Sequence, residues 1–115
     1  MSVSQLLQWQ YSGYPNYHRS RANLLLHIVV VPLFLLANVA LVLSMAIGAW
    51  ILAAASLAAM VFSLAMQGRG HKAEEIPPEP FIGATNAIAR IFFEQWITFP
   101  RFVLSGGWLK AWRAD

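Results

Sequence analysis

Residues 24–47 read LLLHIVVVPLFLLANVALVLSMAI, and residues 49–66 read AWILAAASLAAMVFSLAM. Around them, from 22 to 68, there is no Asp, Glu, Lys or Arg. A helix needs about 20 apolar residues to cross roughly 30 Å of hydrocarbon. The run holds two such crossings and is too short for three. Gly48 divides them. It permits a tight reversal, and Trp50 beside it suits the far interface as an amphipathic anchor. A short turn makes the two helices antiparallel. The second is rich in Ala and Ser, which lets helix backbones approach closely. Pro32, inside the first, frees a carbonyl and is a candidate kink.

Composition agrees with this division. The chain has 115 residues, 58% hydrophobic and 11% charged, where a soluble domain carries about a quarter charged residues. The length allows a single domain, and the apolar content excludes disorder. With no cysteine there is no disulfide framework, thiolate zinc site or iron–sulfur cluster. A secretory signal peptide does not fit, because the apolar run is too long and continues into a second one. A soluble buried hairpin fits poorly, because the rest of the chain is too small to cover two helices that are apolar all round.

The basic residues set the orientation. Arg19 and Arg21 precede the hairpin, Arg69 and Lys72 follow it, and the turn at 44–50 carries no charge. By the positive-inside rule both ends face the cytoplasm, in a bacterial inner membrane or the endoplasmic reticulum. The net charge of +3 therefore reflects topology and contact with lipid headgroups. No nucleic-acid module is present, and nucleic acid is not an expected partner.

The flanks are expected at the interface. Residues 1–23 form an N-terminal interfacial segment. Residues 72–80, KAEEIPPEP, form a polar linker stiffened by its prolines. From 84 to 99 the polar residues Asn86, Arg90, Glu94 and Thr98 recur every four positions, the pattern of an amphipathic helix. Pro100 is expected to break or kink it. Trp108, Lys110, Trp112 and Arg113 near the end are the usual headgroup-level mixture. The tail, 84–115, is expected to lie on the cytoplasmic interface or re-enter shallowly. A third span would bury Arg90 and Glu94 in hydrocarbon. The fold class is thus all-α: an integral membrane hairpin of two transmembrane helices with an amphipathic interfacial C-terminal tail.

The three histidines are the candidate chemistry. If both helices run unbroken from Gly48, His27 and His71 lie about 31 and 35 Å from the turn, nearly one depth. His18 precedes His27 by nine residues and approaches the same mouth. Asn23 is four residues before His27, on the same helical face. Gln67, His71 and Glu75 would share a face if helix persisted past Gly68 and Gly70. An ionisable residue such as His27 within an apolar run is by default a functional candidate. Neutral imidazole is the commonest transition-metal ligand. Histidines with a carboxylate and open positions suit non-haem Fe(II) and oxygen chemistry. Asn23 or Gln67 could orient the rings.

At these residues the sequence resembles the family of 2-hydroxy fatty acid dioxygenase-like integral membrane proteins, formerly a domain of unknown function. The matching stretches are His18-x4-Asn23-x3-His27-x4-Pro32, preceded by Tyr14 and Tyr17, and Gln67-x2-Gly70-His71-x3-Glu75, followed by Pro77, Pro78 and Pro80. A weaker match continues through Phe81, Asn86 and Phe99-Pro100-Arg101-Phe102. The sequence departs from the pattern at Val30, where many members have Gly, and at Ser105-Gly106-Gly107, where some carry an acidic residue. The resemblance implies an Fe(II)-dependent dioxygenase acting with O2 on 2-hydroxy long-chain fatty acids in α-oxidation, shortening them by one carbon. It implies His18, His27 and His71 as metal-binding catalytic residues, with Glu75 as a weaker ligand. The substrate carboxylate would be attracted by Arg19, Arg21, Arg69 or Lys72. Two other functions compete: a non-catalytic membrane anchor or assembly protein, and a haem-binding subunit with two axial histidines. The small size also suggests a homodimer.

Overall fold

The structure, a computed structural model, describes residues 1–114. Six α-helices follow in order: α1 (Val3–Tyr17), α2 (Arg21–Ala46), α3 (Trp50–Gly70), α4 (Ala84–Phe93), α5 (Phe99–Leu104) and α6 (Gly107–Ala114). A 3-10 turn, His71–Ala73, prolongs α3, and a π-helical turn, Glu94–Thr98, joins α4 to α5. Among the described residues there is no strand.

Helices α2 and α3 form the hairpin. Gly48 turns the chain with φ of 71°, a conformation a side chain disfavours. The turn is closed by the Gly48 N–H donating to the Met45 carbonyl and the Ala49 N–H to that of Ser44. On α3 the buried residues are Ala53, Ser56, Ser63, Gln67 and Gly70; on α2 they include Asn23, His27, Val30, Phe34, Ala37 and Ser44. Both series step by three, four or seven, the spacing of one helix–helix seam. The α3 side of that seam is small. Ser63 Oγ can therefore donate to the Val30 carbonyl at 2.6 Å. A Cβ on Gly70 would collide with Asn23 Oδ1 and Leu26 Cδ2, so only glycine permits this approach. Helix α2 runs unbroken through Pro32.

The outer faces of the hairpin are apolar and uncovered. Leu36 is 70% exposed, Val61 61% and Ile51 90%. Both helices are long and apolar enough to cross a membrane, yet only 28% and 22% of their apolar windows are buried within the structure. A soluble core helix would be mostly covered.

The flanks pack back on the hairpin. Residues 1–23, expected only as an interfacial segment, contain α1, started by a capping box in which Ser2 and Gln5 bond reciprocally at 3.1 and 2.8 Å. The tail packs along the hairpin. Trp96 Nε1 donates to Asn38 Oδ1 well along α2, and Trp108 Nε1 donates to the Leu24 carbonyl. Pro100, expected to break or kink the helix, does not break it. The wide turn at Glu94–Thr98 precedes it, and Pro100 sits at the start of α5, where its missing N–H is tolerated. The polar stripe of the tail faces protein. Thr98 Oγ1 donates to Gln10 Oε1, Gln10 Nε2 donates to the Arg90 carbonyl, and Gln95 pairs with Gln67. Ile88 and Phe92 point outward. Tyr14, Leu24, Val31, Phe99 and Phe102 form the core cluster that joins α1, α2 and α5.

Candidate metal centre

Three elements end at one place. His18 caps the C-terminus of α1, His27 lies in the second turn of α2, and His71 begins the turn after α3. The persistence of helix through Gly68 to Gly70 carries His71 to the level of His27. The ring centroids are 4.8 Å apart for His18 and His27, 4.7 Å for His18 and His71, and 5.1 Å for His27 and His71. All three pairs meet edge to face. One chain supplies the whole cluster, so it needs no second copy.

Hydrogen bonds fix two of the rings. His18 Nδ1 lies 2.9 Å from the Tyr14 carbonyl, and His27 Nδ1 lies 3.0 Å from the Asn23 carbonyl. A carbonyl only accepts, so each Nδ1 carries the proton and donates it. In the neutral ring Nε2 is then a bare lone pair. Nε2 of His18, Nε2 of His27 and Nδ1 of His71 are all buried without a hydrogen-bond partner among the described residues. Leaving a buried polar atom unpaired costs about 1–3 kcal/mol, so three together are a conspicuous debt. Burial, reinforced by the neighbouring rings of His27 and His71, holds His18 well below the ordinary histidine range. Protonation of His18 therefore does not relieve the cluster at neutral pH.

A bound cation would relieve it. One ligand nitrogen from each ring lies within 4.8 Å of the other two. The centre of a triangle with 4.8 Å sides is about 2.8 Å from each corner, so a shift of roughly 0.7 Å per ring reaches the ~2.1 Å of a metal–imidazole bond. Donation of the other ring nitrogen to a backbone carbonyl is the usual support of a ligating histidine. The donor set fits a transition-metal ion, and imidazole suits iron, zinc, copper and nickel alike.

The remaining expected site residues divide. Asn23 supports His27, but through its main-chain carbonyl. Its side-chain Nδ2 donates to Glu74 Oε2 at 2.8 Å. Gln67 orients no ring. It exchanges two 2.8 Å hydrogen bonds with Gln95 and donates to Ser63 Oγ. Glu75 is exposed and stands outside the three-histidine group; the inward carboxylate is its neighbour. Glu74 accepts from the backbone N–H groups of Arg19 and Ser20 and from Asn23, tying the turn that carries His71 to the start of α2. Arg19 and Arg69 are exposed, and neither lines the hollow beside the rings.

That hollow adds residues the sequence did not single out. A chamber of about 700 Å³ opens between α1, α3, α4 and the linker, and His18, His71, Tyr14 and Glu94 line it. Tyr14 stacks on His18 at 3.7 Å and 7°. Burial, with the charge of Glu94, pushes its hydroxyl well above the usual tyrosine range. Burial raises the Glu94 carboxyl to about 7, against the opposing pull of Gln95 and Arg90. The sequence marks Tyr14 only as a residue preceding the first histidine motif and gives it no role. It gives no signal for Glu94, which reads as one more polar residue on the tail's stripe. No protein-family model, curated protein or solved structure matches this chain.

Proposed function

We propose that the chain is a membrane-embedded Fe(II)-dependent dioxygenase of 2-hydroxy long-chain fatty acids, with His18, His27 and His71 holding the ion. The convergence of three unpaired imidazole nitrogens at one buried point carries the proposal. The donors alone admit several metals. The resemblance of the two histidine motifs, and a chamber beside them at the mouth of a membrane hairpin, favour iron and a lipid substrate. A haem with two axial histidines uses two rings, whereas three share this locus. By the positive-inside rule both termini are cytoplasmic.

Bound there, Fe(II) would supply open positions for O2 and for the hydroxyl and carboxylate oxygens of the substrate. The protein's own groups do the rest. The carbonyls of Tyr14 and Asn23 keep the Nδ1–H tautomers, so that Nε2 faces the centre. Tyr14, Phe99 and Phe102 wall the cluster with aromatic surface and limit water. Glu94, with its carboxyl near 7, holds or releases a proton at neutral pH on the chamber side. The overall change balances with O2 as the only oxidant: the 2-hydroxy acid gives the acid one carbon shorter, carbon dioxide and water.

The test is anaerobic loading of the purified protein with Fe(II), followed by 2-hydroxypalmitate and O2. Pentadecanoic acid detected by mass spectrometry is the expected product, and the His27→Ala protein should form none. An iron-loaded wild type that forms no shortened acid overturns the proposal.

A further inference from the structure

We propose that the chamber beside the histidines is the acyl-chain pocket, and that Gly68 and Leu64 set how long a chain it admits. It rests on the fatty-acid function proposed above, and adds where the chain lies. The volume of about 700 Å³ falls within the usual range of small-molecule pockets. The chamber has two chemistries. His18, His71 and Glu94 make one part polar, while Trp9, Leu64 and Ile91 make the walls apolar. On α3 and the turn that prolongs it, the lining residues are Leu64, Gln67, Gly68 and His71, spaced by three, four and seven along a single helical face. From His71 to Leu64 that face runs about 10 Å, away from the mouth of the hairpin and towards the bilayer centre. A molecule with its polar head at the histidines would run its chain the same way, with the polarity of a lipid in the membrane. A single-chain amphiphile is therefore the occupant.

Gly68 is the informative position. Glycine is a poor residue for a helix interior, and here no packing accounts for it. A Cβ at Gly68 would meet nothing within 4 Å, whereas one at Gly70 would strike Asn23 and Leu26. The glycine at 70 serves helix contact. The glycine at 68 widens the chamber. The opposite wall is held by Arg90, whose Nη1 and Nη2 donate to the Pro80 and Glu79 carbonyls, and whose guanidinium lies 4.5 Å from the Phe81 ring and 5.0 Å from that of Trp9.

The experiment uses 2-hydroxypalmitate bearing a mid-chain diazirine, photolysed with the full chain in lipid nanodiscs and mapped by peptide mass spectrometry. Adducts are expected on Leu64, Ile91 or Trp9. Gly68→Phe should cut them by roughly tenfold with metal content unchanged, and Gly68→Ala should fold and cut them by less than the Phe variant does. Adducts confined to lipid-facing Val61 and Phe62 overturn the proposal, as does undiminished labelling of a folded Gly68→Phe protein. The wild-type map decides the matter even if the Phe variant does not fold. Chamber labelling of a protein that binds no iron would refute the metal function and leave the pocket standing. Iron binding without chamber labelling would refute the pocket alone.

Discussion

The rings of His18 and His27 meet edge to face with centroids 4.8 Å apart, although they sit on different helices. The chain reverses between them at Arg19 and Ser20, and both backbone N–H groups there donate to Glu74, at 2.9 and 3.1 Å. The carboxylate comes from the turn that carries His71. One acidic residue thus ties together all three segments that bear the histidines.

Glu74→Ala should therefore lower stability by about 1–2 kcal/mol, as expected for loss of a helix-start acceptor, with an unpaired Asn23 amide in addition. Iron affinity should fall by about tenfold, the scale seen when groups that orient ligands are removed. Glu75→Ala, at an exposed position, should stay within about 0.5 kcal/mol of wild type. Thermal unfolding in detergent and an iron-binding isotherm on the two variants check this. Equal effects would contradict the assignment of Glu74.

Gly70→Ala should destabilise by about 1–3 kcal/mol, the cost of overpacking a close contact, because its Cβ would enter the space of Asn23 and Leu26. Gly68→Ala should be neutral or stabilising by up to about 1 kcal/mol. Unfolding midpoints of the two variants, side by side, make the comparison.

Gln67 and Gln95 form a closed amide pair, each donating to the other at 2.8 Å. Replacing one by Leu leaves a buried amide unpaired and should cost about 1–3 kcal/mol, while the double Leu variant should recover most of that loss. A double-mutant cycle measures the coupling. Strict additivity would show that the pair does not join the tail to α3.

The hairpin was legible because a charge-free run bounded by Arg21 and Arg69 admits little else, and Gly48 stands where a reversal is needed. The meeting of His27 and His71 followed from counting rise per residue on both sides of that glycine. The tail was less legible. A stripe such as Asn86, Arg90, Glu94 and Thr98 ordinarily marks a solvated face, but beside a hairpin whose outer surface is apolar the preference inverts. Thr98 and Gln95 are buried against Gln10 and Gln67, while Ile88 and Phe92 face outward. That Glu74 turns inward where Glu75 was expected depends on where a short 3-10 turn ends, and spacing along a helix does not encode that. Helix α1 had a local signal in Ser2 and Gln5, but its docking through Tyr14 depends on contacts with Phe99 and Phe102, distant in the chain.

The central claim is that His18, His27 and His71 hold one ion, and metal analysis tests it most directly. Protein purified and reconstituted anaerobically with Fe(II) should retain about one iron per chain, with nitrogen ligands in its X-ray absorption spectrum at ~2.1 Å. His27→Ala should lose it. A wild type that retains no iron, or a triple histidine variant that retains as much as wild type, would contradict the account.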